Sequence, residues 1–261
     1  CASMSALALR DDRIFYASPD DPTVLRYSKS LTSGLAPEFS ALLYIEMEEG
    51  GGIAALGLLD ESVIVFKRDA IYYVSGEGPN ALGQGEFAPP RRISSDTGCT
   101  EPASVVETDA GVLFKSSRGI YLLNRALQTE YIGAAVEEFN SSIIRKAVLL
   151  EKEHQVRFVL DSDVTLIYDL YHKVWTSLST PSAVDACIQD GDYCWIDRAG
   201  RVFREEDFVA KKIAMRVKTG WLNISPVSQA EQHIWWLSIL GILDSAFTIE
   251  LFRDYQTKAF Q

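Results

Sequence analysis

Short apolar runs separated by Gly, Pro and Asp form the dominant pattern of this chain. Residues 60–76 contain two such runs joined by a charged turn, and residues 109–124 repeat that outline. The matching residues are Phe66, Lys67, Ile71 and Tyr72 in the first stretch and Phe114, Lys115, Ile120 and Tyr121 in the second. Paired strands that recur with a period of about 50 residues are typical of a radially repeated sheet such as a β-propeller.

Similar modules extend along the chain. Residues 13–28, 155–175 and 192–203 each alternate apolar and polar positions around turn residues, which predicts further hairpins. Five modules are visible, and about four blades are the minimum for a closed ring. The anchor residues of the five modules are Arg13, Val63, Val112, Val156 and Tyr193.

The segments between the hairpins carry weaker signals. Residues 77–102 are rich in Gly and Pro and are predicted to form a long loop. A short strand is expected at 104–107, and 129–133 should close the same module. Apolar residues at helical spacing predict a short helix within 134–150.

The sequence pattern changes from Ile213 onward, where apolar and polar residues alternate but the paired strands and turns of the preceding modules do not recur. We place a domain boundary near residues 206–212, with a propeller over 1–208 and the start of a second β domain over 209–261. Strands are expected at 234–243 and 247–252. The predicted fold class is all-β, with β-propeller-like repeated antiparallel blades.

The formal net charge of -11 and a pI near 4.8 argue against a protein that grips nucleic-acid phosphates. This acidic charge does not exclude a protein surface past which DNA slides without binding. The apolar run 234–243 is about half the length of a spanning helix and is followed by Asp244, so no membrane span is expected. The chain begins with a residue other than Met, which favours a fragment or processed piece.

Four cysteines, Cys1, Cys99, Cys187 and Cys194, contain no C-x-x-C pair, and the chain has three histidines. A structural zinc site is therefore not expected. The favoured interpretation is free thiols in a chain made in a reducing compartment.

Three segments resemble virion structural proteins of tailed bacteriophages and prophages: V-I-V-F-K-R-D-A-I-Y-Y-V-S-G-E-G-P at 63–79, R-I-S-S-D-T-G-C-T-E-P-A-S-V-V at 92–106, and G-V-L-F-K-S-S-R-G-I-Y-L-L at 111–123. Trp221-Leu222, residues 239–241 and Asp254-Tyr255 resemble the strands that follow the propeller in those proteins. The similarity spans residues 13 to 255.

The resemblance implies a propeller followed by part of a β-sandwich-like domain, in a short-tailed phage protein of the tail nozzle or DNA-stabilisation type. Known members are longer, so the chain is expected to be a partial one. The implied partners are copies of itself in a ring, other phage tail or connector proteins, and passing double-stranded DNA, without sequence-specific binding. The implied location is the virion tail, after synthesis in the host cytoplasm.

One segment resembles a motif of sialidase propellers. Ser94, Asp96, Gly98 and Thr100 match part of the Asp-box of sialidase propellers, but Glu101 stands where an aromatic is expected. An Asp-box is a turn motif, and a glycosidase would also need two carboxylates at a defined separation.

Several polar clusters are better explained as turns. Glu46, Glu48 and Glu49, and also Asp161 and Asp163, lack the context of a Ca²⁺ loop. The glycines at 50–52 and at 76 and 78 lack the context of a phosphate loop. His172 lies in a turn and no serine has a G-x-S-x-G context, so a nucleophilic triad is not supported.

The leading hypothesis is therefore a non-enzymatic structural subunit with no catalytic, cofactor-binding or metal-binding residues. A glycan-binding receptor-recognition propeller is the alternative, and a glycosidase is a further one. In the blade assignment Val63, Val65, Ile71 and Tyr73 should be buried, while residues 67–69 should form a turn that faces solvent or a neighbouring subunit.

Overall fold

The structure is a computed structural model that describes residues 6–18, 20–47, 49–80, 82–94, 96–179, 183–205 and 248–252. The chain divides into two compact units, Cys1–Asp207 and Phe208–Gln261. The first unit contains five antiparallel sheets, and the described part of the second, residues 248–252, has no regular secondary structure. Within the described residues, no helix is long and apolar enough to cross a membrane.

Each sheet is a meander in which consecutive strands pair in chain order, and we call each sheet a blade. The first blade consists of β1 (Ala6–Arg10), β2 (Arg13–Ser18), β3 (Asp21–Ser28) and β4 (Phe39–Glu46). The second consists of β5 (Ile53–Leu59), β6 (Ser62–Lys67), β7 (Ile71–Val74) and β8 (Arg91–Ser94). The third consists of β9 (Val106–Thr108), β10 (Gly111–Ser116), β11 (Gly119–Asn124) and β12 (Thr129–Tyr131). The fourth consists of β13 (Ile144–Leu150), β14 (Gln155–Leu160), β15 (Val164–Asp169) and β16 (Val174–Ser179). The described strands of the fifth are β17 (Ala183–Gln189), β18 (Asp192–Asp197) and β19 (Val202–Arg204).

The first strands of successive blades contact one another, β1 with β5, β5 with β9, β9 with β13 and β13 with β17. These strands therefore lie innermost, and the fourth strands lie at the outer edges. Because each blade is an antiparallel meander, its turns between strands one and two and between strands three and four lie at one end. The turns between strands two and three, and the links between blades, lie at the other end.

The core lies between blades rather than within them, because each sheet is apolar on both faces. Four buried clusters join the first blade to the second, the second to the third, the third to the fourth, and the fourth to the fifth. Burying both faces explains why β6 and β10 are continuous apolar runs rather than alternating ones. Within the described residues, no such cluster joins the first blade to the fifth.

The blade assignment made from the sequence is confirmed. All five anchor residues fall in the second strand of a blade, and Val63, Val65 and Ile71 are fully buried. Tyr73 is half-buried and packs against the cluster between the second and third blades.

The two hairpins are similar in sequence, but their strand pairing differs by one residue. Phe66 pairs with Ile71, whereas Phe114 pairs with Tyr121. The last residue before each turn is Lys67 in β6 but Ser116 in β10. A shift of one residue turns a side chain to the opposite face of a strand. Phe66 therefore faces the following blade, whereas Phe114 faces the preceding one, and Lys67 and Lys115 also differ; the matching residues of β7 and β11 keep the same side.

The predicted loop over 77–102 is wrong in its last part, because β8 (Arg91–Ser94) pairs with β7 and completes the second blade. Its residues R-R-I-S do not alternate, and Pro89-Pro90 immediately before them reads as a loop. The strand lies at the outer edge and pairs with a neighbour on one side only. Its sequence is therefore weakly constrained. The strand expected at 104–107 forms two residues later, after a 3₁₀ turn at Pro102–Ser104.

The helix predicted within 134–150 is mostly wrong. Gly133–Phe139 forms 3₁₀ turns interrupted by a non-helical Val136, and Ile144–Leu150 is the innermost strand of the fourth blade. The apolar residues at helical spacing occur where a turn meets a strand. The strand expected at 247–252 is absent from its described part, 248–252. The proposed boundary at 206–212 and the strand at 234–243 lie outside the described residues.

Candidate functional site: charged clamps between blades and an acidic rim

A buried ion pair ties the third blade to the fourth. Lys115, near the end of β10, donates from Nζ to Glu101 Oε1 at 2.8 Å and to the carbonyl of Ser142. Glu101 Oε2 accepts the backbone N–H of Ile144 at 2.6 Å, at the start of β13. The side chains of Lys115 and Glu101 are 5% and 19% exposed. One carboxylate therefore satisfies a buried cation and a strand end together, which is the arrangement that makes a buried pair tolerable.

The residues beside this pair hold Glu101 in place. Ser104 Oγ donates to the Glu101 carbonyl at 2.6 Å and accepts the backbone N–H of Lys115 at 2.8 Å. The Cys99 thiol points at the same carbonyl, with Sγ 3.3 Å from the oxygen. Burial raises the pKa of Cys99 to about 11, which keeps it protonated and unreactive at neutral pH.

The prediction that residues 67–69 form a turn facing solvent or a neighbouring subunit is wrong for Lys67. Its side chain is fully buried and donates from Nζ to the carbonyl of Met47, directly after β4. The ammonium also lies 5.8 Å from the centre of the Tyr72 ring. Burial lowers the pKa of Lys67, since the charged form is the one that loses water. Only Arg68 and Asp69 of the expected turn are exposed.

The out-of-register ladder explains this difference between the two lysines. Lys67 occupies the hairpin position of Ser116, and both face the preceding blade. Lys115 occupies the position of Phe66, and both face the following blade. Lys67 therefore clamps the second blade to the first, and Lys115 clamps the third to the fourth. The similar sequences F-K gave no sign of this division, because it depends on the turn register.

A third buried cation lies between the fourth and fifth blades. The Arg157 side chain is 4% exposed, and its guanidinium pairs with Glu205 and, at 3.0 Å, with Glu153. It also lies 4.6 Å from the centre of the Tyr193 ring. Burial raises the pKa of Tyr193 to about 12. Each of these three cations thus holds neighbouring elements together, and we call Lys67, Lys115 and Arg157 the charged clamps.

The Asp-box-like residues form the link between the second and third blades rather than a turn inside a blade. Ser94 Oγ accepts the backbone N–H of Thr97 at 3.2 Å. A Cβ on Gly98 would overlap the backbone of Lys67 and Arg68, so the link packs tightly against the end of β6.

The other polar residues weighed from the sequence occupy turns and strand ends. Glu46 is exposed, Glu49 pairs with Arg92, and Glu48 lies outside the described residues. Asp161 accepts the backbone N–H of Ile143 at 3.0 Å.

His172 is exposed in the turn after β15, with Nδ1 3.1 Å from Asp169 Oδ2. The backbone N–H of His172 and its side chain lower the pKa of Asp169. In the part of the chain that the structure describes, no group of three or more His, Cys, Asp or Glu residues is arranged to hold a metal ion.

The turns between strands one and two carry acidic residues in all five blades. Because the first strands are innermost, these turns lie close to the axis at one end of the array, and we call them the acidic rim. Cations also lie at this end: Lys152 is within the turns, and Arg10, Arg125 and Arg157 pair with the rim residues Asp11, Asp60 and Glu153. From the sequence alone these acidic residues are expected only to form turns, because their shared position at one end depends on the direction of the strands. The acidic rim consists of the exposed residues Asp11, Asp12, Asp60, Glu61, Asp109, Glu151, Glu153 and Asp190.

The fold is similar to solved β-propeller structures. Hsv2 of Kluyveromyces marxianus superposes with a TM-score of 0.52 at 14% identity, over 83% of this chain and 63% of that one. Hsv2 of Kluyveromyces lactis gives 0.52 at 12% identity, over 78% and 61%. PorZ, a surface component of the type-IX secretion system of Porphyromonas gingivalis, gives 0.50 at 10% identity, over 78% and 27%.

The chain thus spans less than two thirds of the length of these proteins. No protein-family model matches the sequence, and no curated protein matches it. At these identities the likeness shows the fold alone: the chain has the β-propeller fold.

Proposed function

We propose that this chain is a non-enzymatic structural component of a short-tailed phage virion and forms part of the tail wall around the DNA exit channel. The observation that carries the proposal is the acidic rim at one end of a tightly clamped blade array. The sequence resemblance of residues 63–79, 92–106 and 111–123 to tail proteins supports the location.

Rigidity is the first requirement of a wall. Consecutive blades share fully buried apolar clusters, and charged clamps cross three of the four junctions. Interfaces packed to interior density resist shear, because any sliding would open voids or strand a buried charge. Such an array suits a component that must keep its shape while DNA passes under pressure.

Charge is the second requirement. DNA binds a protein surface mainly through its phosphates, and each Lys or Arg that meets a phosphate adds salt-dependent affinity. Carboxylates grouped at one end of the array, in a chain with a net charge of -11, repel the phosphates instead. In the proposed role the repulsion keeps the DNA mobile. Partners are copies of this chain in a ring and other tail or connector proteins.

Disruption of the gene in the phage or prophage that encodes this chain tests the proposal. Particles made without the chain should have incomplete tails and lose packaged DNA, and supply of the wild-type chain from a plasmid should restore both. Normal tails with retained DNA but failed adsorption to cells would overturn the wall and favour the glycan-recognition alternative. Fully infectious particles would overturn both.

A further inference from the structure

The fifth blade carries two cysteines in direct register. Cys187 in β17 and Cys194 in β18 are Cα partners in the antiparallel ladder. Residues directly opposite each other in such a ladder have Cα atoms about 4.5 to 5.5 Å apart and side chains on the same face. That Cα separation lies within the range that a disulfide spans, roughly 4.4 to 6.8 Å. The Cβ atoms of such a pair lie about 4.5 to 5.5 Å apart and must approach to about 4 Å, so closure requires a small movement of β17 against β18. Both cysteines are free thiols in this structure.

The two thiols differ in access. Cys187 is exposed, whereas Cys194 is 5% exposed. Both lie on the face of the fifth blade that points away from the fourth, because their neighbours Ala186, Tyr193 and Trp195 pack into the cluster on the opposite face. A small oxidant can therefore reach the Cys187 sulfur from solvent, and the Cys194 sulfur lies beside it.

We propose that Cys187 and Cys194 form a thiol–disulfide pair that closes across β17 and β18 when the chain meets a low-molecular-weight disulfide. The Cys187 thiolate attacks one sulfur of that disulfide and releases its first half as a thiol. Cys194 then loses its proton and attacks the Cys187 sulfur, which releases the second half as a thiol. Two protein thiols are oxidised to one disulfide, and one small disulfide is reduced to two thiols.

The position of the pair indicates that the crosslink would stabilise the fifth blade. Val202, on the same outward face, is 72% exposed, so this blade has less apolar cover on that side than the inner blades have. The hairpin that joins the two strands turns through Asp190 and Gly191, both with positive φ. A covalent link behind this tight turn prevents β17 from separating from β18. The thiols stay reduced during synthesis, and the link stabilises the end blade once the chain leaves a reducing environment.

Cys99 provides the matched control. It is fully buried in the link between the second and third blades and donates to a carbonyl there. Cys99→Ser should therefore leave the reaction at Cys187 unchanged.

The test uses the full chain under native conditions, reduced and then incubated with oxidised glutathione. Non-reducing peptide mapping by mass spectrometry should show a 187–194 crosslink with the loss of two hydrogens in the wild type and in Cys99→Ser. Cys194→Ser should instead trap glutathione on Cys187. Cys187→Ser should give neither a crosslink nor a glutathione adduct at Cys194. In the oxidised wild type, amide exchange in β17 and β18 should slow about tenfold, because the opened hairpin loses freedom.

Two results would overturn the proposal. One is a native wild-type chain in which Cys187 carries glutathione that Cys194 never displaces. The other is a 187–194 crosslink that forms only after the chain is unfolded, since this would show that the native ladder holds the sulfurs apart.

Discussion

Phe66 and Phe114 face each other across the junction between the second and third blades, with ring centroids 4.9 Å apart and an interplanar angle of 44°. Both side chains are fully buried. In the sequence they occupy the same place in two similar hairpins. In the structure they point in opposite directions from their own sheets, and for that reason they meet.

This contact predicts a measurable coupling. Phe66→Ala and Phe114→Ala should each lower the free energy of unfolding by about 3 to 4 kcal/mol, because each leaves a cavity between blades. The double variant should lose about 1 kcal/mol less than the sum, since the ring contact can be lost only once. Urea unfolding of the four proteins measures the cycle. Strict additivity would show that the two rings do not interact.

The two lysines of the similar hairpins should respond differently to the same substitution. Lys115→Met leaves the Glu101 carboxylate buried without its cation and should cost about 3 kcal/mol in unfolding free energy. Lys67→Met removes a buried ammonium that hydrogen-bonds to a carbonyl, so lost bonding and relieved desolvation offset each other to within about 1 kcal/mol. Urea midpoints compare the two variants, and equal losses would contradict the assignment of Lys67 and Lys115 to different junctions.

The link between the second and third blades leaves no room for a side chain at Gly98. Gly98→Ala should destabilise the chain by about 2 to 3 kcal/mol, because its Cβ would press on the backbone of Lys67 and Arg68. Gly83→Ala is a control in open space, where only the positive φ of 77° adds strain of about 1 kcal/mol. Thermal unfolding should rank Gly98→Ala clearly below Gly83→Ala; the reverse order would be incompatible with this packing.

The buried thiol of Cys99 should make stability depend on alkaline pH. Its pKa rises from 9.0 to about 11 on folding, so only the unfolded chain ionises between these values. The contribution of Cys99 is complete below pH 9 and is lost as the pH rises through about 11. Between pH 8 and pH 11 the wild type should lose about 2 kcal/mol relative to Cys99→Ala. A difference that stays constant with pH would show that the thiol is accessible to water.

In the proposed role as part of a phage tail wall, reversal of the acidic rim should slow DNA ejection from particles. Asp12→Lys, Glu61→Lys and Glu151→Lys together place cations at the inner end of three blades, and phosphate contacts there should retard ejection most strongly at low salt. The matched control, Asp20→Lys, Asp69→Lys and Glu138→Lys, makes the same charge change in turns and links at the opposite end. Equal effects of both triple variants would remove any special role of the rim.

Repeating hairpins could be predicted from the sequence because tight turns and continuous apolar strands leave a strong local signal. Every anchor residue falls in the second strand of a blade, where both faces are covered and most residues are apolar. Strands β1, β8, β13 and β17 are not predicted from the sequence. Of these, β8 is a short outer edge, and β13 begins shortly after 3₁₀ turns that mimic a helical period.

The charged clamps could not be predicted, because they depend on register and on contacts between blades. Lys67 and Lys115 look alike locally, but Lys67 directly precedes its turn whereas Ser116 separates Lys115 from its turn, and this offset decides which neighbour each lysine faces. For Glu101 a signal existed: a carboxylate replaced the aromatic that the Asp-box pattern expects. Its partner Lys115 is fourteen residues away and belongs to another element, which sequence spacing does not indicate.

Electron cryomicroscopy of the intact particle tests the central claim most directly. In the proposed role, density for these blades is expected within the tail, repeated around the DNA channel, with the acidic rim facing the path of the DNA. Density for this chain on a peripheral fibre away from the channel, or its absence from purified particles, would contradict the account.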